Sequence, residues 1–277
     1  MPFVPSVTHL FDASGLPLFS LKEINALAKE EKERIYATLV PEIVFERYGF
    51  DRNSYLSPDS RERIRFICPK GLGLLRIAVR RQPEDTDDLF FVEMADTPFR
   101  QMEFSFCLIN DPDAPRFDVD YDSSGRENMF GTLRRNIDEE IRAMAAGLTP
   151  NQVRSGLNTF KPFFERFEQF VASLGIDIIV AEPLSYNNAI HYERYGFDYT
   201  TGKQLMLWID REFQPGGVLY RRLDGSTPFR QPGMEKTVRG RSWAIHDGIL
   251  QKPWDGIKIY KTVGQHAHVN TFAHWNY

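Results

Sequence analysis

Between residues 63 and 122 the chain runs through RIRFICP, GLLRIAVRR, LFFVEMA, MEFSFCLI and PRFDVDYD, and no other feature restricts its fold as much. Each run is short, rich in β-branched and aromatic residues, and bounded by turn-forming clusters such as PKGLG and QPEDTDD. That texture predicts strands joined by tight connections, hence an antiparallel meander.

Helical spacing surrounds this centre. In LKEINALAKEEKERIYATL, residues 21 to 39, Leu21, Ile24, Leu27 and Ile35 recur among Lys and Glu, which predicts an amphipathic helix. Pro41 suits the first turn of a second, short helix in PEIVFERYGF, because its missing N–H is not needed there. A further helix is predicted over 127 to 146, stopping at Gly147, and another from about Asn158 or Thr159 to Gly175, with Pro162 in its first turn. IDIIVAEP then reads as a buried strand, NNAIHYERYGF as a short helix and KQLMLWIDREF as a strand, while the residues after 213 show no strong period.

Composition narrows the class of function. A formal charge of −4 over 277 residues gives no basic field for nucleic acid or an anionic membrane. No apolar run approaches the roughly 20 residues of a membrane span, and MPFVPSVTHLF lacks the basic start of a secretion signal. With Cys68 and Cys107 far apart in apolar runs, the reading is a soluble, reduced, cytoplasmic protein. The 22 Phe, 11 Tyr and 4 Trp suit a large core before they suit an apolar ligand pocket.

VFERYGFD (44 to 51) and HYERYGFD (191 to 198) share a hexapeptide core. Both read as helix ends, with Gly49 or Gly196 just past the cap, where a left-handed residue is needed, and Phe50 or Phe197 touching back to Phe45 or Tyr192. One local rule therefore accounts for both copies without a duplicated domain. The copies differ chemically, because Tyr192 carries a phenol able to donate a proton and Phe45 does not.

The stretch IIVAEPLSYNNAIHYERYGFDY, residues 178 to 199, resembles the end of the GNAT (acetyl-CoA-dependent N-acetyltransferase) fold. There a buried strand passes through Asn and Ala into a short helix ending Tyr-x-x-x-Gly-Phe, followed by another strand. Tyr192, Gly196 and Phe197 match in spacing, and Asn187, Asn188 and Ala189 in type. The resemblance implies an α/β chain of the α+β kind, GNAT-like, with a central mostly antiparallel sheet flanked by helices. It would comprise an N-terminal helical segment (1–55), an acyltransferase domain (56–213) and an irregular C-terminal extension (214–277). It further implies acetyl-CoA or a longer acyl-CoA as donor, a small amine or amino acid as acceptor, Tyr192 as general acid toward the thiolate and Asn188 as a cofactor contact. The family's pyrophosphate turn, Gln/Arg-x-x-Gly-x-Gly/Ala at a helix N-terminus, falls on QVRSGLNTF (152 to 160). Gly156 and Asn158 take the small positions there, and Arg154 sits one place from the expected basic residue. SSGREN supplies Gly125 and Arg126 without the spacing, and the helix near 127 to 146 is an addition to the family order. IVFERYGFD (43 to 51) is also similar to the N-terminal helices of acyl-homoserine-lactone and N-acyl amino acid synthases, which would favour a long acyl donor.

Other residues suggest chemistry independently of this resemblance. Glu103 and Glu93 in the meander are candidate bases acting through water, Glu103 the stronger. Asp118, Asp120 and Asp122 would share one strand face and, with His266, His268 and His274, would form a site for a hard or transition-metal cation; an acidic strand edge and ordinary histidines explain the same residues. His191 reads as packing or exposed, and the basic run 221 to 241 as a solvated loop. The leading expectation is a CoA-dependent N-acyltransferase using Tyr192 and Glu103, with a non-catalytic GNAT-like scaffold or a metal-dependent enzyme as alternatives.

Overall fold

The computed structural model describes residues 8–57, 59, 61–82, 84–128 and 134–273. They divide into two compact units, each built from separated stretches of chain: Met1–Asp113, Gly156–Ala181 and Thr262–Gln265 form one, and Ala114–Ser155, Glu182–Lys261 and His266–Tyr277 form the other. The fold is α+β, with seven strands among the described residues whose pairings are mostly antiparallel.

In the first unit the meander forms as its alternation requires. Strands β1 (Ile64–Ile67), β2 (Leu74–Val79), β3 (Phe90–Asp96) and β4 (Met102–Ile109) pair antiparallel in chain order. One face carries Ile64 opposite Val79, Ile77 opposite Val92 and Met94 opposite Phe104, all at or below 1 % exposure. Helix α5 (Phe160–Ser173) supplies its cover, because Phe160, Phe163, Phe164 and Phe167 recur at helical spacing. The Phe104 ring lies 4.8 Å from that of Phe167 and 6.2 Å from that of Phe163. Phe163, Phe164 and Phe167, at or below 1 % exposure, each contribute about 1.5–3 kcal/mol by burial. Pro162 sits in the first turn of α5, where its missing N–H costs nothing. Strand β5 (Ile178–Ala181) follows and pairs with β4 in parallel.

The helix expected over 21 to 39 is two helices, α1 (Leu21–Ile24) and α2 (Lys29–Ala37). Asn25 breaks it: fully buried, its amide donates to the carbonyls of Leu72 (2.7 Å) and Leu74 (2.9 Å) while its Oδ1 accepts from the Tyr36 hydroxyl at 2.5 Å. A polar side chain that serves a neighbouring strand is fixed by tertiary structure, which periodicity does not register. Helix α3 (Glu42–Glu46) starts directly after Pro41.

The second unit contains α4 (Ile137–Ala145), α6 (Tyr186–Arg194), β6 (Asp198–Thr201), α7 (Lys203–Glu212), α8 (Val218–Arg221), α9 (Val238–His246) and β7 (Lys258–Thr262), whose last residue belongs to the first unit. Strand β6 pairs antiparallel with β7. Helix α4 begins later than its sequence predicts, with residues 129 to 133 outside those described. KQLMLWIDREF is a helix rather than a strand. Met206, Ile209 and Phe213 are buried at helical spacing while Leu207 faces outward, and the strand after α6 is DYTT instead. PRFDVDYD forms no strand beyond a single bridge at Tyr121. A core of Phe117, Val119, Ala143, Leu148, Phe229 and Trp243 anchors this unit, with the indoles of Trp243 and the ring of Phe229 stacked at 5.2 Å.

Candidate functional site

Helix α6 ends as its hexapeptide predicts. The Phe197 N–H donates to the Tyr192 carbonyl at 3.2 Å and the Gly196 N–H to the Glu193 carbonyl at 3.0 Å, the paired bonds of a Schellman ending. Gly196 has φ 88°, a conformation that a Cβ disfavours, and the Phe197 ring closes onto that of Tyr192 at 5.1 Å. Asn188 and Tyr192 lie four apart, so they share a helix face. Tyr192 is half-buried, and burial together with Arg194 pulls the His191 imidazole down to about 4, so it is neutral at physiological pH.

Beneath that face Glu193 is buried. Its carboxylate accepts from the Tyr199 hydroxyl (2.5 Å), the Thr271 hydroxyl (2.6 Å) and the Thr271 N–H (2.9 Å). In the first copy the same letters do different work. Helix α3 stops one residue earlier in the motif, at Glu46, which is exposed, and Arg47 reaches out to Asp113 at 2.9 Å. Gly49 keeps the left-handed conformation of its counterpart, with φ 68°, and Phe50 keeps its burial, being 4 % exposed against 1 % for Phe197.

In the first unit β5 meets β4 only at Met102–Ile179 and Glu103–Val180, so β4 from Phe104 to Ile109 runs on past this pairing. The β3–β4 register shifts at Glu93/Met94, leaving Ser105 as an extra residue that bends β4 and has no opposite partner. Glu103 is exposed and accepts from the Ser105 hydroxyl at 3.2 Å, which keeps it available to a water. Glu93, by contrast, is ion-paired with Arg76 across the ladder. The chain then enters α5 through Gly156, Asn158 and Thr159. A Cβ on Gly156 would come within 2.9 Å of the Ile109 carbonyl oxygen, so only glycine lets this loop lie against the end of β4. Asn158 is exposed with φ 56°, and the buried Thr159 hydroxyl has no hydrogen-bond partner among the described residues.

The candidate residues thus divide between the units: Glu103, Gly156 and Asn158 in the first, Tyr192, Asn188 and Arg154 in the second. Arg154 donates to the Ala114 carbonyl at 2.6 Å, and Asn188 accepts from Asn187 at 2.8 Å. The acidic triplet does not share a strand face as expected. Arg116 pairs with both Asp118 and Asp120, while the Ser124 hydroxyl and the Arg126 and Ser124 N–H groups hold the Asp122 carboxyl down to about 2 within a tight turn. The His266 and His268 rings lie 4.4 Å apart, His274 is outside the described residues, and among those residues no group of three potential ligands has metal-holding geometry.

Sequence reasoning passed over the most buried charge in the second unit. Arg241, read as part of a solvated loop, is fully buried on α9. It donates to Asp210 on α7 (2.8 Å), to the Glu235 carbonyl (2.7 Å) and to the Tyr186 hydroxyl (3.4 Å), and its guanidinium covers Phe272 at 4.5 Å. Because α9 is buried on most sides, it has no polar face to give it a period. No protein-family model, curated protein or solved structure matches the chain.

Proposed function

We propose that the protein is an acyl-CoA-dependent N-acyltransferase acting on a small amine or amino acid. The observation that carries this reading is the short parallel contact between β4 and β5. A ladder that stops after Glu103–Val180 leaves backbone of β4 beyond it for an extended ligand, and the bulge at Ser105 supplies a residue outside the ladder there. The Gly156–Asn158 loop at the entry to α5 would hold the cofactor's phosphates by backbone N–H groups.

In this reaction the amine nitrogen attacks the thioester carbon, the C–N bond forms and the C–S bond breaks. The amine proton leaves through water toward Glu103, a backbone N–H polarises the carbonyl, and the departing thiolate takes its proton back through that water. A non-catalytic binding scaffold is the second reading. It is favoured by Arg154, whose guanidinium is already tied to Ala114.

Thermal unfolding with acetyl-CoA, a long-chain acyl-CoA and free CoA at about 1 mM tests the proposal. A ligand at 100 times its dissociation constant stabilises by about 2.7 kcal/mol, a shift of a few degrees. A shift with free CoA and acetyl-CoA supports the acyltransferase; no shift with any of the three removes CoA from the function.

A further inference from the structure

A groove of about 720 Å³ runs along the first unit between α2 and the outward stripe of α5, beside the N-terminal residues around Leu10. Its floor is apolar, formed by Leu10 and by the nearly buried Ile35 and Phe170. Its rim carries Arg34 from α2 and Arg166 and Gln169 from α5. The lining contains two arginines and no carboxylate, although the chain as a whole is net acidic at −4. Arg34 has no ion-pair partner among the described residues, and Arg166 has a single exposed one, Glu42, at 3.1 Å, which Arg52 also engages.

We infer that this groove binds an amphiphilic carboxylate, an aliphatic or aryl tail lying on Leu10, Ile35 and Phe170 with its anionic head on Arg34. The volume falls within the range of small-molecule sites, an apolar floor with few polar groups at one side fits a tail and a head, and arginine presents the paired donors that a carboxylate accepts. The large aromatic core needs no cation here: both arginines are exposed and neither supports the packing. The inference does not depend on acyl transfer, since the groove lies apart from the β4 backbone and the Gly156 loop in that unit.

Isothermal titration of the full chain with octanoate, octan-1-ol and acetate at constant ionic strength tests it, using wild type, Arg34→Gln, Arg34→Lys and Gln169→Trp. Arg34 and Gln169 are exposed, so the variants should unfold at the wild-type temperature. Octanoate should bind one to one, about tenfold more tightly than octanol, and acetate should not bind. Arg34→Gln should weaken octanoate about tenfold with Arg34→Lys in between, and Gln169→Trp should block the groove. Octanol binding as tightly as octanoate, unchanged binding in Arg34→Gln and Gln169→Trp, or no octanoate binding up to about 10 mM would overturn the inference. Because octanoate carries no nucleotide, the result is independent of whether CoA binds.

Discussion

Tyr199 donates its hydroxyl to Glu193 Oε1 across 2.5 Å in the interior of the second unit, and burial pushes that phenol well above its ordinary value. Thr271 adds two more donors to the same carboxylate, so one acidic side chain ties α6, β6 and the segment near residue 271 together. Glu193→Ala should destabilise the protein by about 2–4 kcal/mol, since it strands two buried hydroxyls and a buried N–H. Glu46→Ala, at the matching and exposed position of the first copy, should change stability by no more than about 0.5 kcal/mol. Urea unfolding of the two variants decides it, and equal effects would mean that the two copies are structurally equivalent.

His191 should make stability fall with acidification. Burial first, and then the Arg194 charge, lower its folded value to about 4, below the ordinary 6.5 of an unfolded chain. The unfolded state therefore binds the extra proton, and this contribution is lost as pH drops from about 6.5 to about 4. A proton NMR titration of the ring should show a midpoint near 4, and His191→Gln should flatten that part of the stability profile. A ring that titrates near 6.5 would contradict the buried placement.

Gly156→Ala should cost about 1–3 kcal/mol, because its Cβ would press on the Ile109 carbonyl and push the loop off the end of β4. Gly71→Ala, where no atom crowds the site, should cost only the strain of its φ of 86°. If the loop binds phosphate, Gly156→Ala should also weaken CoA more than it lowers the unfolding temperature, as calorimetry on the folded variant would show.

Tyr192→Phe keeps the ring that packs on Phe197 and removes only the hydroxyl. If the phenol is the general acid, turnover with an acyl-CoA should drop about 10²–10⁴-fold and lose its alkaline limb, beyond what any change in unfolding temperature accounts for. Unchanged turnover and pH profile would take the phenol out of the mechanism.

The meander and α5 were legible because their side chains obey a single period, with one face wet and one dry. Where burial is not one-sided the period disappears. Arg241 and its neighbours on α9 read as a solvated loop because charge inside a helix is indistinguishable from charge outside it until Asp210 is in place. Asn25 misled for the related reason that its partners, Leu72 and Leu74, are remote in sequence. The hexapeptide was half legible: Gly196 and Phe197 follow a local rule that needs no tertiary information, whereas the different fates of Glu46 and Glu193 depend on Thr271, far along the chain. The aspartate triplet failed as a strand face because Arg116, four residues or fewer away, gathers two of its members into a turn.

The first unit takes Thr262–Gln265 into its own structure, with the Val263 N–H on the Asp177 carbonyl at 2.9 Å and the Gly264 N–H on Glu168 at 2.7 Å. A ribosome delivering this chain from its N-terminus must therefore translate through most of the second unit before the first receives its last segment. Vectorial synthesis cannot complete the two units one after the other, and a nascent chain halted after Ala181 would lack the peptide that caps Asp177 and Glu168.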